Sequence, residues 1–217
     1  MKDLKTIKGK FYLQRIIAEG EHETQDFKFA ISDARKIARS LSAFANHSGG
    51  QLLVGIKDNG VIAGVRNEED IYVIEQAARL YCRPAQELSF TAIAAGEGAV
   101  VIRAEIASSP VRPVQACDTD GRWKTFYRVA DENILATPLM VKAWRRAASD
   151  EPVAFTLGEA ENAVLSHLRE QGHSTIEQIM TAARLSRIAA EEIIIRLYTM
   201  EIIHFPFINR QFQIAPL

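Results

Sequence analysis

Between residues 32 and 48 apolar side chains recur at the spacing of one helix face. Ala34, Ile37, Ala38, Leu41 and Phe44 or Ala45 follow i, i+3, i+4, i+7, with Ser32 or Asp33 as cap and Gly49-Gly50 as stop. The pattern predicts an amphipathic helix that docks on a core and turns Arg35, Lys36 and Arg39 outward. The apolar run QLLVGI at Gln51–Ile56 then predicts a strand, Asp58-Asn59-Gly60 a turn, and Val61-Ile62 a returning strand. A second helix fits Glu68–Tyr81, ended by Pro84, and Glu87–Ala95 and Ala99–Ile106 read as strands about the Gly96-Glu97-Gly98 turn. Pro110 to Pro113 reads as loop. Lys124–Val129, KTFYRV, has the aromatic and β-branched character of a strand, and Pro138–Ala147 suits a helix with proline in its first turn.

The polar, proline-containing segment Ser149-Asp150-Glu151-Pro152 suits a linker. Beyond it, helices are expected over Gly158–Gln171, Thr175–Ala183 with Ser174 as cap, and from Ser186 to about Met200, followed by a β-hairpin at Ile203–Ile214. Three helices and a hairpin give the winged helix-turn-helix order. The fold expected is α+β: a mixed α/β domain over residues 1–148, a linker over 149–155, and a winged-helix domain over 156–217.

Charge separates the two parts. From Ser149 onward five basic and nine acidic residues give −4, so the net −1 of the chain leaves +3 on residues 1–148. Any attraction for polyanions must come from a local patch on the first domain and depend strongly on salt. Apolar residues at 47% and charged residues at 24% are ordinary for a globular chain. No run approaches the roughly 18 apolar residues of a membrane span, and the opening residues lack a signal-peptide core. A cytoplasmic protein without membrane partners is expected. Cys82 and Cys117 are too few for a disulfide framework and read as small buried apolar groups.

The segment Glu21–Lys28, EHETQDFK, sets two carboxylates five residues apart with a lysine two residues later. On a strand, Asp26 and Lys28 share a face. Paired carboxylates are the oxygen ligands that Mg²⁺ or Mn²⁺ prefers, and Asp58 could complete such a set. Solvated charges near a strand start, with Asp58 as a turn residue, fit the same pattern.

The succession Glu21-x4-Asp26-Phe27-Lys28, then Ser42-Ala43-Phe44-Ala45-Asn46-His47-Ser48-Gly49-Gly50, then Leu52-Leu53-Val54-Gly55-Ile56-Lys57-Asp58-Asn59-Gly60-Val61-Ile62-Ala63-Gly64 resembles the Schlafen-type AlbA_2 domain. The resemblance covers roughly residues 15–135 and includes Phe126-Tyr127-Arg128-Val129 as a closing strand. It implies nucleic-acid binding, with DNA favoured over RNA and a role like that of a transcriptional regulator. It also implies an alternative, because some Schlafen relatives are metal-dependent endoribonucleases that use an acidic trio. Glu21, Asp26 and Asp58 stand at those positions with Lys28 beside them, and aspartate replaces the usual second glutamate at 26. The regulator reading needs no cofactor; the nuclease would need Mg or Mn.

Schlafen cores pair two related lobes and this chain holds one, so a homodimer is expected. Arg35, Lys36, Arg39, Arg112, Arg122, Lys124 and Arg128 are the candidate phosphate contacts in the first domain, and Arg187 and Arg210 in the second. Asn46, Gly49, Gly50, Gly55, Gly60 and Gly64 are read chiefly as structural, since glycine permits left-handed turns and close backbone approach. The acidity of the second domain leaves a third reading open, a protein-interaction module. No GxxxxGK[ST] loop, GxSxG elbow, HExxH helix or zinc spacing is present, so nucleotide hydrolysis and a zinc site are not expected.

Overall fold

The computed structural model describes residue 4 and residues 6–65, 69–152 and 157–217. Two expectations fall partly elsewhere: Glu68, the foreseen start of the second helix, and residues 153–155 of the linker lie outside the described residues. The chain divides into two compact units, Met1–Leu135 and Ala136–Leu217.

The first unit runs β1 (Thr6–Lys8), α1 (Lys10–Glu19), β2 (Gln25–Lys28), α2 (Ala34–Asn46), β3 (Gly49–Val54), α3 (Glu69–Leu80), β4 (Cys82–Arg83), β5 (Ser89–Gly96), β6 (Ala99–Ala107), β7 (Gln115–Cys117), β8 (Trp123–Val129) and β9 (Glu132–Leu135). A five-stranded mixed sheet has the order β1-β5-β6-β3-β2, with β1 parallel to β5, β2 parallel to β3, and the inner pairs antiparallel. Both faces of this sheet are buried, and strand alternation sorts its residues between them. Leu52, Val54, Ile102 and Ala104 pack under α2 and α3, whereas Leu53, Ile93 and Val101 pack with Leu13 and Ile16 of α1. That two-sided burial is why QLLVGI reads as an unbroken apolar run. Each of its large side chains, fully withdrawn from water, contributes about 1.5–3 kcal/mol.

A second, antiparallel sheet with the order β4-β7-β8-β9 closes over the other side of α2, supplying Ala116 and Phe126 to the same core. Helix α2 is therefore enclosed along its C-terminal half, where residues 40–46 are all buried. Small side chains there, Ser40, Ser42, Ala43 and Ala45, let both sheets approach its backbone. The outward charged face expected at Arg35, Lys36 and Arg39 lies on the first turns of the helix.

The second unit holds α4 (Pro138–Ala147), α5 (Glu159–Gln171), α6 (Ile176–Ala183) and α7 (Arg187–Thr199), then the two-residue strands β10 (Ile203–His204), β11 (Phe207–Ile208), β12 (Gln211–Phe212) and β13 (Ala215–Pro216). Strand β10 pairs with β13 and β11 with β12. Val164 and Leu168 of α5, Ile179 of α6, Ile194 and Leu197 of α7 and Ile203 of β10 form its core, and Leu139 of α4 packs against it. The division between units thus falls earlier than the expected 148, because α4 joins the second core and Lys142 reaches Glu191 of α7 at 2.5 Å. Ser149 and Pro152 of the expected linker are tied to α4 by Arg146, whose guanidinium donates to Ser149 Oγ at 2.8 Å and Pro152 O at 2.9 Å. Among the described residues no helix is long and apolar enough to cross a membrane.

Candidate nucleic-acid interface

The Asn46-to-Gly50 string is architectural. Asn46 is wholly buried; its Nδ2 donates to Val114 O at 2.7 Å and Phe126 O at 2.8 Å, and its Oδ1 accepts from Val114 N–H at 2.8 Å. Ser42 Oγ adds a bond to Val114 O at 2.8 Å and accepts from Phe126 N–H at 3.2 Å. The β7–β8 ladder ends at Gln115 opposite Thr125, so these two side chains supply the next rung. Gly49, at φ +79, leaves the helix with its Cα pressed on β6, where an added Cβ would lie 2.6 Å from Ile106 O. Gly55, Gly60 and Gly64 also carry positive φ and shape the loop from β3. Cys82 and Cys117 are buried, and burial pushes the Cys82 thiol up to about 12.

The turn between β7 and β8 gathers charge from three parts of the sequence. Asp118 is buried beneath it and receives Arg39 Nε and Lys124 Nζ, the latter at 2.6 Å. Lys124 also meets Asp120 at 2.8 Å, Arg39 Nη2 donates to Thr119 Oγ1 at 2.9 Å, and Arg35 Nη1 reaches Thr119 O at 3.5 Å. Burial alone would raise the Asp118 carboxyl, but bonds from Lys124, the Thr119 amide and Arg39 outweigh it and hold the group at about 2. Asp118 therefore fixes the two cations as a charged pair. Arg35 lies over the Tyr81 ring at 5.4 Å and Arg39 over Phe126 at 6.0 Å. Lys36 and Arg122 stand exposed beside them, their side-chain charges without a partner among the described residues.

Arg128 departs from expectation. It is 1% exposed and cannot touch a phosphate. Its Nη2 lies 3.6 Å from Asp26 Oδ1 and donates to Gln25 O at 3.2 Å, Nη1 donates to Asn133 Oδ1 at 3.0 Å, and Nε reaches His22 O at 3.3 Å. The guanidinium rests over Phe44 at 5.0 Å. Arg112 is also engaged in structure, donating to His47 O at 2.8 Å just past the end of α2. The His47 ring packs edge-on against Tyr127, and burial lowers its pKa, with Arg112 lowering it further against the opposing pull of Glu23.

The acidic residues assemble only in part. Asp26 is buried and bonded to Lys28 Nζ at 2.9 Å, and Glu21 Oε1 accepts from Phe27 N–H at 2.7 Å. Partial burial and a hydrogen bond shared with Asp26 push the Glu21 carboxyl above its ordinary value, against the lowering by the Phe27 amide and Lys28. Asp58 sits exposed in the turn after β3. Among the described residues no group of three or more His, Cys, Asp or Glu side chains is arranged to hold a metal ion.

In the second unit, Arg187 opens α7 and is shared by Glu177 at 3.1 Å and Glu191 at 3.2 Å. Arg210 stands exposed at the tip of the β11–β12 hairpin, where Asn209 and Arg210 both take positive φ, 51° and 63°. Asn–Arg is thus a two-residue turn whose twist matches the paired strands.

Sequence reasoning missed Asp118, Thr119, Arg83 and Trp123. Asp118-Thr119-Asp120-Gly121 is a turn signature ahead of KTFYRV, so the hairpin was within reach. The pairing of Asp118 with Arg39, 79 positions away, had no local signal.

A family sequence model described as Schlafen, AlbA_2 matches residues 21–137. No curated protein matches the chain. Among solved structures, the DIP2311 protein from Corynebacterium diphtheriae is similar at 22% identity and a TM-score of 0.45, over 92% of this chain and 37% of that one. The chain therefore spans little more than a third of the length of that protein. The family match, by contrast, takes in more than half of the present chain, with the Asn46-Gly49-Gly50 clamp and the Asp118 charge cluster both inside it, and the chain belongs to the Schlafen AlbA_2 family.

Proposed function

We propose that this protein binds nucleic acid, DNA in preference to RNA, through the cations around the β7–β8 turn, and acts as a regulator of transcription. The observation that carries the reading is the convergence of Arg35, Arg39 and Lys124 on the turn that Asp118 anchors, with Lys36 and Arg122 exposed at its margin. Cations already held in place lose little side-chain entropy when a phosphate arrives, and counterion release from the polyanion then supplies the affinity. Membership in a family associated with nucleic-acid binding supports the same reading. In this proposal α6, the turn after it, α7 and strands β10–β13 form a winged helix, with Arg210 as the exposed cation of the wing. Because Arg187 is already shared by two glutamates, that domain contributes less charge and serves equally as the contact of a cytoplasmic homodimer.

The test is the double variant Lys36→Glu, Arg122→Glu of the whole chain, titrated with duplex DNA, single-stranded DNA and structured RNA at several salt concentrations. Binding should weaken, and the slope of log K against log salt should shrink by about 0.9 for each duplex phosphate that is no longer neutralised. An unchanged slope rules this face out. Light scattering on the same samples gives the oligomeric state.

One observation favours a second reading, a metal-dependent endoribonuclease: Glu21 and Asp26 are near enough for each to act on the other's charge, Glu21 accepting from the Phe27 amide and Asp26 from Lys28 Nζ. Among the described residues Asp58 is not gathered with Glu21 and Asp26 into a group that could hold a metal ion. Cleavage of RNA dependent on Mg²⁺ or Mn²⁺ and abolished in Glu21→Gln would establish this reading; intact RNA under those conditions removes it.

A further inference from the structure

We propose that the outer face of the β4-β7-β8-β9 sheet is a stacking platform for unpaired nucleotides, with Trp123 and Tyr127 as its two base-stacking rings. This deepens the nucleic-acid reading above and rests on it.

Strand alternation decides which side chains face outward. In β8, Phe126 and Arg128 point inward under α2, as do Ala116 of β7 and Cys82 of β4. Trp123 and Tyr127, displaced from Phe126 by odd numbers of residues, therefore face away from α2. The register sets Trp123 opposite Cys117, Thr125 opposite Gln115, and Gln115 opposite Arg83, so Arg83 shares the outer face. Both aromatic residues are only half-buried. Four residues apart on one strand, their Cα atoms are separated by about 13 Å.

The Trp123 ring has an arginine close by, and the Tyr127 ring a histidine. The Arg83 guanidinium lies 3.9 Å from the centroid of the Trp123 ring, and Arg83 itself is exposed. At the other end Tyr127 meets the His47 ring at 5.0 Å and 74°, and the His47 carbonyl is held by Arg112 at 2.8 Å. Arg122, which precedes Trp123, is exposed, whereas Lys124 shares the α2-facing side of β8 with Phe126 and is bound to Asp118 there. Aromatic rings set along a sheet and bordered by cations suit a strand whose backbone is neutralised while its bases lie on the rings. A duplex keeps its base faces stacked internally and cannot use such a surface. The ligand chemistry is thus a single-stranded polynucleotide, from DNA or RNA.

The chain has two tryptophans, and Trp144 is buried at 3% exposure. In the full chain carrying Trp144→Phe, emission reports on Trp123 alone. Titration with oligo(dT), with oligo(U) and with a DNA duplex should give quenching by single strands, and the two homopolymer arms rank DNA against RNA. Trp123→Ala, made in the native chain, should weaken single-strand binding roughly 5- to 100-fold with duplex binding retained, and Trp123→Phe should restore most of it. Single strands bound by Trp123→Ala as tightly as by the native chain overturn the platform but leave the charge cluster standing. An equal loss on duplex and single strand also overturns it, because the ring then acts through the fold. If the native chain binds no nucleic acid at all, both readings fall together.

Discussion

Asn46 and Val114 are joined twice, by Val114 N–H to Asn46 Oδ1 at 2.8 Å and by Asn46 Nδ2 to Val114 O at 2.7 Å. One side-chain amide imitates a strand neighbour, continuing the β7–β8 pairing where the ladder stops. Asn46→Ala leaves the Val114 N–H and the Phe126 carbonyl buried and unsatisfied, at about 1–3 kcal/mol each. A loss of about 2–5 kcal/mol is expected in urea denaturation. Asn46→Asp should lose a similar amount despite its equal size, because a carboxylate has no donor for the two carbonyls.

The legible parts of this chain are those whose physics is local. Helix α2 shows itself by apolar spacing and by its cap, which is Asp33, accepting from Arg35 N–H. Ser186 caps α7 as its sequence suggests, whereas α6 is capped by Thr175 rather than Ser174. Helix α1 is silent because only Leu13 and Ile16 of its ten residues are buried, too few to mark a period. Strands β1, β7 and β9, of three to four residues, are too short to show alternation. Arg128 does carry a signal of its burial: it stands two residues from Phe126 in a strand, so both share the inner face. Arginine at such a position is read as surface by habit of type, and only the partners Asp26, Gln25 and Asn133 make burial tolerable.

Arg128 accordingly belongs with stability rather than with binding. Arg128→Ala removes the cation next to the buried Asp26 and strips bonds from two backbone carbonyls, a loss expected at about 3–5 kcal/mol. Arg128→Lys keeps the charge but cannot span His22, Gln25 and Asn133 at once, so it should recover only part. Melting and equilibrium unfolding read this directly. A variant of native stability with weakened DNA binding would return Arg128 to the phosphate-binding surface.

Asp118 makes a prediction in pH. Its folded carboxyl titrates at about 2 against an ordinary 3.8, so its bonds to Lys124, Thr119 and Arg39 favour the folded state wherever the unfolded carboxyl is ionised. Their contribution is fully present above about pH 4 and disappears as pH falls through the folded value near 2. Thermal melts from pH 7 to 2 should show a native chain that loses stability across that window. Asp118→Asn should start lower at pH 7 and fall less steeply over the same range. Parallel curves for the two proteins would mean that Asp118 does not organise the cluster.

Gly49 and Gly121 have the same φ of +79, and only Gly49 is crowded. An added Cβ at Gly121 meets nothing within 4 Å, whereas at Gly49 it lies 2.6 Å from Ile106 O and 2.8 Å from Ser108 N, both backbone atoms of the neighbouring chain segment. Gly121→Ala should therefore cost only the left-handed backbone penalty of about 1–2 kcal/mol. Gly49→Ala adds forced separation of the start of β3 from β6, about 1–3 kcal/mol more. Equal losses in matched denaturation curves would show that conformation alone requires the glycine of the Asn46-to-Gly50 string.

Glu21 should behave in the opposite sense to Asp118. Partial burial and the neighbouring Asp26 raise its carboxyl pKa, so the folded state holds a proton that the unfolded state has already released. Stability then falls as pH rises from the ordinary glutamate value through the raised one, and the strain of two adjacent carboxylates persists at neutral pH. Glu21→Gln keeps an oxygen to accept from the Phe27 amide and removes the repulsion. It should be more stable than the native chain at pH 7, by up to about 1 kcal/mol, with the difference closing at about pH 4. A residue kept at the expense of stability points to work done by its charge, so a stabilised variant that also loses RNA cleavage or binding would tie that charge to function. Equal or lower stability in Glu21→Gln at neutral pH would leave Glu21 as the hydrogen-bond acceptor that orders β2 and nothing more.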